Sequence, residues 1–129
     1  LAATSTLQRR HASVTPEGKV KKMVKAVLAE FSEETKNDGY IVHRIKQYWP
    51  VPAGYGASDL DCIVCYYGRT IAIETKAPGK DPTPRQEMTI AQYRGAGAMV
   101  FVISGELGCH ELRVALQGIK NANDRQPQA

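Results

Sequence analysis

The stretch from Ser58 to Lys76, SDLDCIVCYYGRTIAIETK, limits the folds open to this chain more than any other segment. β-Branched and aromatic residues run up to Tyr66, Tyr67-Gly68 interrupts them, and Thr70-Ile71-Ala72-Ile73 resumes them, which predicts a β-hairpin. A two-residue loop at Tyr67-Gly68, with glycine supplying a positive φ for a type I′ turn, sets the register. Tyr66 then faces Arg69, Cys65 faces Thr70, Ile63 faces Ala72 and Asp61 faces Glu74. A four-residue loop preserves this register, and a three-residue loop breaks it. Lys76, two residues beyond Glu74, lies on the same face of the pleat. Opposed carboxylates on a ladder have Cβ atoms roughly 5 Å apart and repel. A divalent cation is the simplest compensation.

The flanks read as further elements. Thr15-Pro16-Glu17 opens a helix, with threonine as N-cap, proline at the first helical position and an acid in the first turn. Val20, Val24, Val27, Leu28 and Phe31 form its apolar stripe, and Gly39 is expected to cap its end near Lys36-Asn37-Asp38. Stepping about 100° per residue places Glu17 on or beside that stripe, whereas Glu30 and Glu33 fall mainly away from it. Glu17 is therefore the helix acid to aim at the sheet; its alternative role is to complement the helix dipole. Tyr40 to Tyr48 reads as one half-buried strand, with Ile41, His43, Ile45 and Trp49 of one parity. His43 reads as structural, because no other histidine lies at a motif spacing. Pro50 to Gly56, PVPAGYG, is a loop leading to the hairpin.

Beyond Lys76, Ala77 to Pro82 is a turn-rich loop, and Thr83-Pro84-Arg85-Gln86 has the form of a capping box opening a second helix. That helix reaches about Arg94 and stops at Gly95 or Gly97. Ala98 to Ile103 is a short apolar run, expected to be a strand buried on both faces. A last helix from about His110 carries Leu112, Ala115, Leu116 and Ile119. The expected organisation is an arm over residues 1–14, a domain over 15–120 and a polar tail over 121–129. The order is helix, three strands, helix, strand, helix, an α/β chain with a mixed sheet flanked by helices.

Charge and cysteines narrow the function. The net charge of +4 arises within residues 1–50, around Arg9, Arg10, Lys19, Lys21, Lys22 and Lys25; the remainder is neutral. A basic flank beside an acidic centre suits a phosphate backbone held near a metal, and charge alone fits a solvated helix face equally well. Lys19, Lys22, Lys80 and Arg85 are the candidate phosphate contacts. Cys62 and Cys65 form C-x-x-C, but strand residues three apart point to opposite faces, so zinc is disfavoured and core cysteines are expected. The longest apolar run is too short for a membrane span, and no leader pattern opens the chain; a cytoplasmic protein is expected.

Asp61 and Glu74 at one point suit Mg²⁺ or Mn²⁺, with the Thr75 backbone carbonyl as a third ligand. Lys76 is placed to orient a nucleophile or neutralise developing charge, and phosphodiester hydrolysis is the reaction that fits. Gln86 either reaches this site or only caps its helix. Asp59 is the rival ligand, since the same register sets it opposite Lys76. An isolated E-x-K also reads as an ordinary strand-surface pair; the combination with Asp61 and T-x-R-Q is far more specific.

At these residues the chain resembles the PD-(D/E)xK nuclease superfamily. The run GYGASDLDCIVCYYGRTIAIETKAPGKDPTPRQE followed by GAGAMVFVIS is similar to the virus-type replication-repair nuclease (VRR-NUC) domain, particularly its stand-alone phage members. The resemblance covers about Thr15 to Ser104. It implies a restriction-endonuclease-like αβββαβ core and a Mg²⁺- or Mn²⁺-dependent, structure-selective DNA endonuclease. Asp61 and Glu74 then bind metal, Lys76 is the catalytic lysine, Gln86 occupies the family glutamine position and Glu17 that of the first-helix acid. Leu60-Asp61 stands where the family commonly has Pro-Asp. Four-way (Holliday) junctions or other branched DNA are the implied substrates, cut by a homodimer in the cytoplasm, the host's if phage-encoded. Flap, end or duplex cleavage is the alternative, as is a non-cleaving DNA-binding module.

Overall fold

The computed structural model describes residues 14–51 and 59–126. The expected arm (apart from Val14), most of the Pro50–Gly56 loop and the last three residues lie outside the described residues. Helix α1 (Pro16–Phe31) starts as its sequence directs: the Thr15 hydroxyl accepts from the Gly18 N–H at 2.9 Å, and Pro16 lacks an N–H that would go unbonded there anyway.

The helix stops earlier than its glycine signal suggests. After Phe31, Glu34–Asn37 and Tyr40–His43 form strands β1 and β2 of a separate antiparallel hairpin. Gly39 has φ +83°, which a helix cap or a turn can use; Asp38 also has positive φ, as a type I′ turn requires at both central positions. The apolar stripe ends at Phe31, so nothing downstream rewards further helix. The expected single strand over Tyr40–Tyr48 is also broken, at Arg44, before β3 (Ile45–Tyr48). Ile41 on β2 is consequently exposed while Ile45 on β3 is buried, although their parity is the same.

Strands β4 (Cys62–Tyr66) and β5 (Arg69–Thr75) are the predicted hairpin. Tyr66 pairs with Arg69, Cys65 with Thr70, Ile63 with Ala72 and Cys62 with Ile73. Tyr67 and Gly68 both have positive φ, as the two-residue loop demands. Helix α2 (Pro84–Gly95) follows, then β6 (Met99–Ile103) and α3 (Glu106–Asp124). The main sheet runs β3-β4-β5-β6, antiparallel except for the parallel β5–β6 pair. The result is an α/β restriction-endonuclease-like arrangement: an αβββαβ core with the β1–β2 hairpin added before its first strand.

Alternation along the strands divides the sheet into two faces. Cys62, Val64, Tyr66, Ile71 and Ile73 pack beneath α1 and α3, against Val24, Leu28, Leu112 and Leu116. Ala72 and the half-buried Ile63 lie on the opposite face with Leu60, Ile90 and Tyr93, under α2. β6 is an edge strand, and Val102 is exposed, so its apolar run is not buried on both faces. The strand buried throughout its core is β5, from Ile71 to Thr75, whose polar end hides that fact in the sequence. α3 begins four residues before His110 and continues through Asn121 to Asp124, so the polar tail is helical there. Cys62 and Cys109 are buried, but Cys65 is exposed on the opposite side of its strand from Cys62. No described helix is long and apolar enough to cross a membrane.

Candidate metal centre

The β4–β5 ladder ends at Cys62 and Ile73, and the next positions outward are Asp61 and Glu74. The first turn of α1 brings Glu17 to the same place. Glu17, Asp61 and Glu74 each offer one carboxylate oxygen, and all three atoms lie within 4.8 Å of one another. An octahedral ion with ligands at roughly 2.1 Å spaces them by about 3 to 4 Å, so a small closing motion fits these groups to Mg²⁺ or Mn²⁺.

The two sheet carboxylates are held differently. Asp61 Oδ2 accepts from the Thr75 backbone N–H at 2.8 Å and from the Thr75 hydroxyl at 2.7 Å. Its Oδ1 has the Lys21 ammonium at 3.7 Å. Glu74 is 2% exposed; its Oε1 accepts from Gln86 Nε2 at 3.0 Å and has Lys76 Nζ at 3.9 Å. Its Oε2 is buried with no hydrogen-bond partner among the described residues. A buried carboxylate oxygen without a donor is costly, and a cation would repay it. Burial, with the Asp61 charge adding to it and Lys76 opposing, pushes the Glu74 carboxyl up to about 7. An oxygen-rich donor set with an orphaned buried oxygen fits a hard divalent cation.

Gln86 resolves its two alternatives by serving both. Its Oε1 accepts from the Thr83 N–H at 2.9 Å, completing the capping box, while its amide nitrogen holds Glu74. The N-terminus of α2 and the second acid are thereby tied together. Lys76 is anchored through its backbone, whose N–H donates to the Ile103 carbonyl at 2.9 Å. The Thr75 carbonyl lies between Glu74 and Lys76 in the chain, and the Thr75 hydroxyl has a role that sequence reasoning missed. Residue type gave no signal for it, because threonine is common in strands. The contact of Lys21 with Asp61 was likewise submerged among the other lysines of α1.

Asp59 does not join the cluster. Among the described residues the carboxylates that approach one another are those of Glu17, Asp61 and Glu74, and the Asp59 carboxylate is engaged elsewhere. Its Oδ1 accepts from the Leu60 N–H at 2.8 Å and from the Tyr93 hydroxyl at 2.6 Å. Burial and this bond push the Tyr93 phenol up to about 12. The link ties the approach to Asp61 onto α2 while Leu60 is buried beneath it. Asp59→Asn is therefore expected to leave divalent-ion affinity nearly unchanged and to cost about 1 kcal/mol in urea unfolding, through a weaker Tyr93 bond. Loss of ion binding in calorimetry would move Asp59 into the coordination shell.

Lys19 and Lys22 on α1, Lys80 after β5 and Arg85 on α2 are all exposed. Arg85 lines an open groove of about 590 Å³ with Asp59, Met88, Gln92 and Tyr93. His43 lies outside the acidic cluster, with Nδ1 3.3 Å from the Ser32 carbonyl. Compared with known proteins, the chain matches no family model, no curated protein and no solved structure significantly. The α/β fold and its acidic cluster are consistent with metal-dependent hydrolysis in general terms.

Proposed function

We propose that this protein is a Mg²⁺- or Mn²⁺-dependent DNA endonuclease of the VRR-NUC type, cutting phosphodiester bonds in branched DNA such as four-way junctions. The observation that carries the reading is the convergence of Glu17, Asp61 and Glu74, one of which, Glu74, has a buried oxygen with no hydrogen-bond partner among the described residues. Glu17, Asp61 and Glu74, with the Thr75 carbonyl, would hold the ion. When bound, such an ion lowers the pKa of a coordinated water and neutralises charge developing on the scissile phosphate.

The protein's own groups supply the rest. Thr75 fixes one oxygen of Asp61 and leaves the other for the ion. Gln86 holds Glu74 in place from a helix N-terminus. Lys76, partly screened from water, orients the attacking nucleophile or meets the charge that develops on the phosphate. Lys19, Lys22, Lys80 and Arg85 contact the backbone of the substrate. So small a domain has little surface for a branched substrate, and a two-fold dimer would present two sites to two strands.

Purified protein with Mg²⁺ or Mn²⁺ is expected to nick labelled four-way junctions near the branch point, to cut linear duplex far more slowly, and to lose all cutting in chelator. Preferential cutting of flaps or ends on the same substrate panel would reassign the DNA structure. Absence of any divalent-ion uptake in calorimetry would remove the proposed centre.

A further inference from the structure

Lys21 follows Glu17 by four residues on α1, so the two side chains share one face of the helix. Its Nζ lies 3.7 Å from Asp61 Oδ1, the oxygen that Thr75 does not engage. Lys76 stands by the other sheet acid, 3.9 Å from Glu74 Oε1. The two ammonium groups therefore serve different carboxylates. They also differ in freedom: the Lys76 side chain is 14% exposed and that of Lys21 40%. One turn further along α1, Lys25 is engaged over the Trp49 ring at 4.8 Å.

Resting on the metal-dependent nuclease reading, we infer that Lys21 is a substrate-binding cation that trades Asp61 for phosphate. Without a divalent ion it neutralises Asp61 Oδ1. Were an ion held by Asp61 there, the Lys21 ammonium would be repelled from that oxygen and would be free to meet a non-bridging oxygen of the incoming phosphodiester. A flexible four-carbon stem and a half-exposed position allow the movement.

Charge balance supports the exchange. Three ionised carboxylates offset a divalent ion together with Lys76, leaving a centre of no net charge. A phosphodiester is an anion and needs an excess of positive charge to be held there. Among the described residues, the ammonium of Lys21 is the further cation in contact with the cluster, and displacement by the ion makes it free as the substrate site forms.

The test compares Lys21→Met and Lys21→Arg with the parent protein. Calorimetry with Mn²⁺ alone, in the absence of DNA, is expected to show Lys21→Met binding the ion about five- to tenfold more tightly, because a competing positive charge at Asp61 is gone. In Mg²⁺-dependent cleavage, the same variant is expected to raise KM about three- to tenfold with much less change in kcat. The salt dependence of substrate binding should shrink by about one phosphate contact. Lys21→Arg should restore KM and the salt dependence. Unchanged or weaker Mn²⁺ binding by Lys21→Met, or an unchanged KM and salt slope, overturns the exchange. Failure of the parent protein itself to bind Mn²⁺ overturns the metal centre instead, so the two failures are told apart.

Discussion

Glu74→Gln is expected to abolish cleavage and, in the metal-free protein, to raise stability above neutral pH. Loss of even an outer partner of a metal ligand costs roughly 10–100-fold, so removal of a ligand charge sets a floor of about 100-fold on the loss of activity. The gain in stability follows from burial. The folded-state carboxyl titrates at about 7, against an ordinary value of 4.5. Between those values the folded protein keeps a proton that the unfolded chain has released. Stability therefore falls as pH rises from about 4.5 to about 7 and stays reduced above that. At about 1.4 kcal/mol per pH unit, the deficit approaches about 3.5 kcal/mol at most. Glutamine has no charge to desolvate and can still accept from Gln86, although Lys76 loses its partner. Urea unfolding in chelator should therefore show Glu74→Gln ahead of the parent by about 1–3 kcal/mol at pH 8, with the gap closing toward pH 5. A variant less stable than the parent at pH 8 contradicts the assignment of Glu74 as an unpaid buried charge.

Asp61→Ala is expected to lose activity to the same degree and to change stability in the opposite direction. Asp61 is the acceptor for two Thr75 donors, the backbone N–H and the hydroxyl, on a fully buried residue. Deleting the carboxylate leaves both donors without it, at a cost of about 2 kcal/mol after relief of its repulsion with Glu74. Saturating Mg²⁺ should raise the Tm of the parent and leave that of Asp61→Ala unmoved, since only an ion that binds the folded state stabilises it. Thermal unfolding with and without Mg²⁺ checks both statements. A stabilised Asp61→Ala would show that Thr75 does not depend on this acceptor. Two carboxylates in one cluster are thus expected to carry opposite effects on stability: Asp61 accepts two bonds from Thr75, and Glu74 keeps one buried oxygen with no donor among the described residues.

The strand hairpin was legible because its rules are local. Period-two alternation and a two-residue turn, acting over fewer than twenty residues, suffice to bring Asp61 beside Glu74. Glu17 was legible for a similar reason: helical stepping relates it to a stripe that must face the sheet. Alternation extended two residues further, from Asp61 to Asp59, does not foresee the bonds that Asp59 makes instead. There the burial of Leu60 and the hydroxyl of Tyr93, thirty-four residues away, take over. The end of α1 is ambiguous in the sequence because Gly39 suits a helix cap and a hairpin turn alike; the positive φ of Asp38 beside it marks the turn. The apolar run of β6 gave no sign that it would lie at an edge, because which strand closes a sheet depends on pairing and not on hydrophobicity.

By itself, the amino-acid order determined the elements of the core, the pairing of β4 with β5 and the acids that could meet at the end of that pair. These follow from backbone geometry and side-chain period, which act between near neighbours. Only the tertiary structure decided which oxygen of each acid is tied and which is left open. Thr75 takes one oxygen of Asp61, Gln86 takes one of Glu74, and burial leaves Glu74 Oε2 without a donor among the described residues. Desolvation and hydrogen-bond supply are properties of everything packed around a group, and the hairpin that places these acids does not contain the helices that enclose them.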